Sequence, residues 1–201
     1  SEIGNGIDIL QECVTDRHIS KYPDLIKGAG VFALSESEVA ELNLSDHEKE
    51  ILKPYYTSRE LKQFRIVNKN TKWIIYSNKE VVNNIDRYPN IKAHLEKYER
   101  IITSDNKPYG LHRAREEKIF LGEKLLSLRM TDKPCFTYSN GPCYVTRAYL
   151  VIKLNSTNEK LYKYLLGILN STLCNYWLYH QGKRKGNQLQ IDKEPIKNIP
   201  I

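Results

Sequence analysis

Three cations stand between two glycines at Gly182-Lys183-Arg184-Lys185-Gly186, and amides follow at Asn187, Gln188 and Gln190. Lys and Arg bind phosphate oxygens, an Arg fork or a Gln amide reads a base edge, and glycine lets a loop approach a backbone closely. The same residues also suit a solvated loop whose cations offset the dipole of a preceding helix, and spacing leaves both readings open. A second mixture of cation, imidazole and aromatic covers residues 109–118, with Tyr109, His112, Arg113, Arg115 and Lys118. Arg113 or Arg115 could read guanine bidentately, worth roughly 1–3 kcal/mol of discrimination. The alternative is an exposed helix in which these arginines pair with Glu116 or Glu117. Finally, Tyr55 and Tyr56 lie near Lys53 and Arg59, apt to stack on bases and hold phosphates or, equally, to pack a turn.

Catalytic motifs are missing. The chain has no glycine-rich phosphate loop, His-Glu-x-x-His, Gly-x-Ser-x-Gly or Gly-x-Gly-x-x-Gly, and its five histidines are scattered. A magnesium nuclease of the Asp, Glu-x-Lys type needs clustered carboxylates; Glu60-Leu61-Lys62 and Glu116-Glu117-Lys118 match its second half, with Asp24 far upstream. No catalytic residue and no metal site are expected. Cys13, Cys135, Cys143 and Cys174 lack zinc-ligand spacing and read as buried free thiols.

The elements that would position these residues follow from periodicity. Leu161, Tyr164, Leu165, Ile168, Leu169, Leu173, Tyr176, Trp177 and His180 fall on one face of a period of 3.6, predicting one long helix ahead of the basic loop. Ser156 and Glu159 have capping-box spacing at its start, and Gly182 stands where it would end. Upstream, Ile7, Ile9 and Leu10 suit a strand, and residues 31–34 and 72–77 read as short buried strands. Ser35 with Glu38 caps an acidic helix, a second follows at 46–52, and Pro54 breaks it. Pro89 opens a helix with His94 on its apolar stripe as a core histidine, and with Lys92-Glu96 and Glu96-Arg100 pairs outside. Segments 125–128, 135–138 and 143–152, separated by turn residues, read as antiparallel strands. The fold class expected is α+β, with a mostly antiparallel sheet, packed helices and a long C-terminal helix; residues 1–105 and 106–201 are possible subdomains.

Charge is unevenly distributed. The chain carries +7 overall, yet residues 1–50 hold eleven Asp/Glu and four Lys/Arg, leaving +14 on the remainder. That polarity suggests a later part that meets a polyanion. No apolar run is long enough for a membrane span and no signal-peptide pattern opens the chain, so a cytoplasmic bacterial protein without a membrane partner is expected. The abrupt opening suits a piece of something longer.

Several of these segments carry a resemblance. Residues 28–34 with the acidic helices and Leu52-Lys53-Pro54-Tyr55-Tyr56, then Ile74-Ile75-Tyr76, the helix from Tyr88-Pro89, and Gly110-Leu111-His112-Arg113-Ala114-Arg115 are part of it. Leu165-Leu166-Gly167-Ile168-Leu169-Asn170-Ser171, Gly182-Lys183 and Ile199-Pro200-Ile201 complete it. The set resembles the TaqI-like C-terminal specificity domain, the target-recognition domain of adenine-specific DNA methyltransferases and fused restriction-modification enzymes. The resemblance implies double-stranded DNA as partner and an N-terminal methyltransferase domain in the same chain. That domain would bind S-adenosylmethionine and flip adenine into an Asn-Pro-Pro-Tyr pocket. This sequence has no Asn-Pro-Pro-Tyr, so recognition without chemistry, and no cofactor in this piece, is the expectation. Candidate DNA contacts are then Lys183, Arg184 and Lys185 at phosphates and Arg113, Arg115, Gln188 and Gln190 at base edges. Tyr55, Tyr56 and Arg59 would flank the duplex, and His112, Lys118 and Arg129 complete the candidate set. A protein-interaction subunit of a phage-defence complex and a nuclease domain are the alternatives.

Overall fold

The structure is a computed structural model, and it describes residues 1–200; the terminal Ile201 of the resemblance lies outside the described residues. In chain order the elements are β1 (Glu2–Asn5), α1 (Asp16–Lys21), β2 (Ala33–Ser35), α2 (Glu36–Glu41), α3 (Asp46–Lys49), β3 (Leu52–Tyr55), β4 (Phe64–Arg65), β5 (Lys72–Ile75), α4 (Lys79–Asn83) and α5 (Pro89–Glu96). There follow β6 (Lys124–Leu128), β7 (Met130–Thr131), β8 (Phe136–Ser139), β9 (Tyr149–Lys153), α6 (Glu159–Leu169), α7 (Thr172–Gln181), β10 (Lys183–Lys185), β11 (Gln188–Gln190) and α8 (Lys193–Lys197). They form an α+β fold of two interleaved compact units. One unit comprises Ser1–Gly6, Tyr56–Lys69 and Glu116–Ile201; the other comprises Ile7–Tyr55 and Asn70–Arg115.

The unit made of Ile7–Tyr55 and Asn70–Arg115 holds a three-stranded antiparallel sheet, β2-β5-β3. Its helices are short and rely on their caps. Ser35 and Ser45 each accept the N3 backbone N–H, while Glu38 and Glu48 reach back to the cap N–H; the first is the reciprocal pairing expected from the Ser35–Glu38 spacing, and the second repeats it. His94 is a core residue as expected, its Nε2 lying 3.0 Å from the Val31 carbonyl, and burial lowers its pKa. The predicted surface pairs of α5 differ. Lys92 pairs with Asp86, Glu96 accepts the Tyr109 hydroxyl, and Arg100 pairs with Asp24 while stacking on Tyr22. Chain folding brings partners nearer than the helix's own next turn. Lys53 and Pro54 lie in strand β3 rather than at a helix break, and residues 109–116 form a loop rather than a helix.

The other unit is built on a five-stranded sheet of order β1-β9-β6-β8-β4, antiparallel except for the β4-β8 pair. The N-terminal strand is Glu2–Asn5 rather than the apolar run that follows it. Helices α6 and α7 cover the sheet, burying Tyr162, Leu166, Leu169, Cys174 and Leu178 with Leu125, Phe136, Leu150 and Ile152. The single long helix predicted from period 3.6 is two helices. Asn170 leaves the helical path because its side chain pairs with both backbone groups of Phe136 in β8, accepting from N at 2.8 Å and donating to O at 2.9 Å. Ser171 then caps α7 by accepting from Cys174 N at 3.1 Å. At the start, Asn158 rather than Ser156 is the cap. The buried face also differs from the predicted stripe: Leu161 and Tyr164 in α6, and Leu173, Tyr176 and His180 in α7, are exposed. All four cysteines are free; Cys143 and Cys174 are buried, and Cys13 and Cys135 only partly so.

Candidate nucleic-acid interface

Helix α7 stops at Gly182 because the chain passes against its last turn. A Cβ there would come within 2.4 Å of the Leu178 carbonyl oxygen, which already accepts the Gly182 N–H at 2.9 Å. The basic segment that follows is an antiparallel ribbon rather than a loop, with Lys183 opposite Gln190, Arg184 opposite Leu189 and Lys185 opposite Gln188. Gly186 makes the turn at φ +60°, a conformation that costs a side-chain-bearing residue. β11 continues onto β7, giving a three-stranded sheet β10-β11-β7.

Register decides which side chains are presented, since directly opposed residues share a face. Leu189 is buried in the core, and Arg184, which shares its face, is exposed beside the end of the helix. The Arg184 guanidinium lies 4.3 Å from the Tyr179 ring centroid, and its Nη1 donates to the Tyr179 hydroxyl at 2.9 Å. The opposite face carries Lys183, Lys185 and Gln188, all exposed, and the half-buried Gln190. Beside Gln190, Asp192 accepts from Gln190 Nε2 at 2.8 Å through one oxygen and from Arg129 Nη2 at 3.0 Å through the other. Residue types thus pointed to the basic segment, while the register separates Arg184 from the two lysines. Tyr179 and Asp192 were missed: Tyr179 sits among other aromatics and meets Arg184 across the end of α7, and Asp192 sits in an apolar tail with no local signal for Arg129, its partner far along the chain.

The other candidates sit as follows. Within the unit formed by Ile7–Tyr55 and Asn70–Arg115, His112, Arg113 and Arg115 share a cleft of about 590 Å³ with Asn78 and Lys79. His112 Nδ1 stands 3.3 Å from the Asp105 carboxylate, and Arg113 is exposed while its backbone bridges Asp8 at 3.0 and 3.3 Å. Arg115 adopts φ +69°, held where the Tyr76 hydroxyl donates to its carbonyl at 2.7 Å. Tyr55 is a correction: it is wholly buried and its hydroxyl donates to Glu12 at 2.9 Å, so it has no surface to offer a base.

In the β1-β9-β6-β8-β4 unit, Tyr56 is half-buried with its N–H donated to the Tyr144 carbonyl at 2.9 Å, and Arg59 is exposed. Lys118 is exposed and pairs with Glu116 at 2.7 Å, which raises its pKa. The carboxylates of the nuclease-like triplets have structural partners: Glu60 accepts from Thr57 N and Oγ1 at 2.9 and 2.8 Å, and Glu117 accepts the Tyr144 hydroxyl at 2.5 Å.

The geometry defines an α+β module in which a helix-covered sheet is accompanied by a separate three-stranded sheet whose outer ribbon carries cations and amides. Its sequence narrows the class: residues 53–201 match the model of the TaqI-like C-terminal specificity domain, and the chain belongs to that family. It is 24% identical over 181 residues to the type II methyltransferase M.MjaIV of Methanocaldococcus jannaschii, a match covering 85% of this chain and 60% of that protein. Its fold is similar to part of the type IIL restriction-modification enzyme MmeI, solved in complex with DNA, with a TM-score of 0.60 and 14% identity over 94% of this chain and 23% of MmeI. The chain therefore spans under two thirds of the length of either protein.

Proposed function

We propose that this chain is the target-recognition part of a restriction-modification methyltransferase and binds double-stranded DNA through the β10-β11 ribbon. The observation that carries the reading is the ribbon's outward face, where Lys183 and Lys185 alternate with Gln188 and Gln190 across two paired strands. A two-stranded ribbon fits the major groove, lysines hold phosphates, and glutamine amides read base edges. Membership of the specificity-domain family and the methyltransferase relative support it. The parent protein acts on adenine, with S-adenosylmethionine bound in a catalytic domain N-terminal to this chain.

The test is binding of labelled duplexes to the chain. Replacing Lys183 and Lys185 by Ala lowers affinity for every duplex alike, whereas Gln188→Ala lowers it only for preferred sequences. Wild-type affinity unaffected by any of these changes would remove the ribbon from the interface. A second reading, a protein-interaction module, is favoured by the exposure of Tyr164, Leu173 and Tyr176 on α6 and α7 at 61%, 77% and 65%. Leu173→Glu with Tyr176→Glu then abolishes association with a partner while leaving DNA binding intact, as read by sedimentation and duplex titration.

A further inference from the structure

Gln190 occupies the central strand of the β10-β11-β7 sheet, on the face it shares with Lys183. A free glutamine amide can present either end to a base, because its carbonyl accepts and its amino group donates. Here one end is chosen. Asp192 places Oδ2 2.8 Å from Gln190 Nε2, and a carboxylate oxygen only accepts, so turning the amide over would set two oxygens against each other. The carboxylate is itself fixed, since its Oδ1 accepts from Arg129 Nη2 at 3.0 Å. Arg129 is tied in turn by its backbone, its N–H donating to Ala148 at 2.8 Å and its carbonyl accepting from Ile191 at 2.7 Å.

We propose that Asp192 is a positioning residue for base recognition: it locks the polarity of the Gln190 amide, leaving Oε1 and the second N–H of Nε2 to pair with an adenine edge. That acceptor-donor pair matches adenine N6 and N7 in the major groove, and a guanine edge offers two acceptors where adenine offers one. The Arg129 guanidinium anchors the carboxylate. The inference rests on the reading of this chain as a DNA-recognition domain and adds the base that one position of the ribbon selects.

The experiment selects from a pool of randomised DNA duplexes with the wild-type chain, Asp192→Asn, Gln190→Ala and the double variant. Affinity for the unselected pool and thermal melting are recorded alongside. Wild type enriches an A·T pair at one position, and Gln190→Ala and Asp192→Asn each reduce the preference there by about tenfold. The double variant loses no more than either single one, because both changes remove one interaction. Affinity for the unselected pool is not lowered in Asp192→Asn, a result that a merely structural role would not give. If Asp192→Asn melts early, Asp192→Ser replaces it in the cycle. Full retention of the preference in Asp192→Asn, or in Gln190→Ala, overturns the inference while leaving DNA recognition standing. Failure of the wild-type chain to enrich any sequence overturns the recognition reading itself.

Discussion

Glu48 is wholly buried, yet it is held as a carboxylate. Burial alone would raise its pKa, but donors from Ser45 and Asn90 outweigh that and bring it to about 2. Its oxygens accept from Ser45 N and Oγ at 3.0 and 2.9 Å, from Asn90 N and Nδ2 at 2.7 and 2.9 Å, and from Ile91 N at 3.3 Å, joining the starts of α3 and α5. A depressed folded-state pKa stabilises the fold above the unfolded value of 4.5, and that stability is lost as pH falls toward about 2. Chemical denaturation should therefore show a loss of about 3 kcal/mol from this group across that window. In Glu48→Gln, which is less stable at neutral pH, the acid slope flattens; an unchanged slope would show that the carboxylate is not the titrating group. Half of this arrangement was legible, since Ser45 and Glu48 have capping-box spacing. The half donated from Asn90 joins residues far apart in the chain and leaves no local pattern. Tyr55 shows the same limit, because a tyrosine beside a cation has one appearance whether it faces a base or Glu12.

At the scale of elements, strand segments and caps were readable because alternation and capping act over a few residues. The break at Asn170 was not, since the apolar period runs through it and the cause lies in β8. Replacing Asn170 by Ala raises intrinsic helix propensity but strands the N–H and carbonyl of Phe136. The expected result is a net loss of about 2 kcal/mol in urea unfolding, because an unsatisfied buried group costs more than a propensity gain returns. A more stable Asn170→Ala would mean the two helices prefer to be one. The ribbon's turn depends on backbone conformation in another way. A Cβ on Gly186 meets nothing within 4 Å, so Gly186→Ala isolates the cost of φ +60°. It should weaken the ribbon by about 1 kcal/mol and reduce duplex affinity about fivefold, with the global melting temperature nearly unchanged. Equal losses of melting temperature and binding would show instead that the ribbon is integral to the core.

Across the whole molecule the charge asymmetry becomes a property of the two units. The unit bearing the ribbon holds seventeen Lys/Arg and nine Asp/Glu, a net of +8, while the other holds fourteen and fifteen, a net of −1. Charges farther than about 10 Å from a phosphate are screened at 0.1 M salt, so proximity matters more than the total. Each phosphate contact contributes about −0.9 to the slope of log affinity against log salt, whatever the protein's overall charge. Two pairs of substitutions that change net charge by the same amount in opposite directions separate these effects. Lys183→Ala with Lys185→Ala removes two positive charges from the exposed ribbon face, and the slope should become shallower by about 1.8. Glu36→Gln with Glu41→Gln removes two exposed negative charges from the other unit, and the slope should not move, although association at low salt quickens. Fluorescence anisotropy of one labelled duplex over a salt series reads both. Slope changes of equal size and opposite sign from the two pairs would mean that the chain meets DNA as a diffuse polycation, and the ribbon would then have no privileged place in binding.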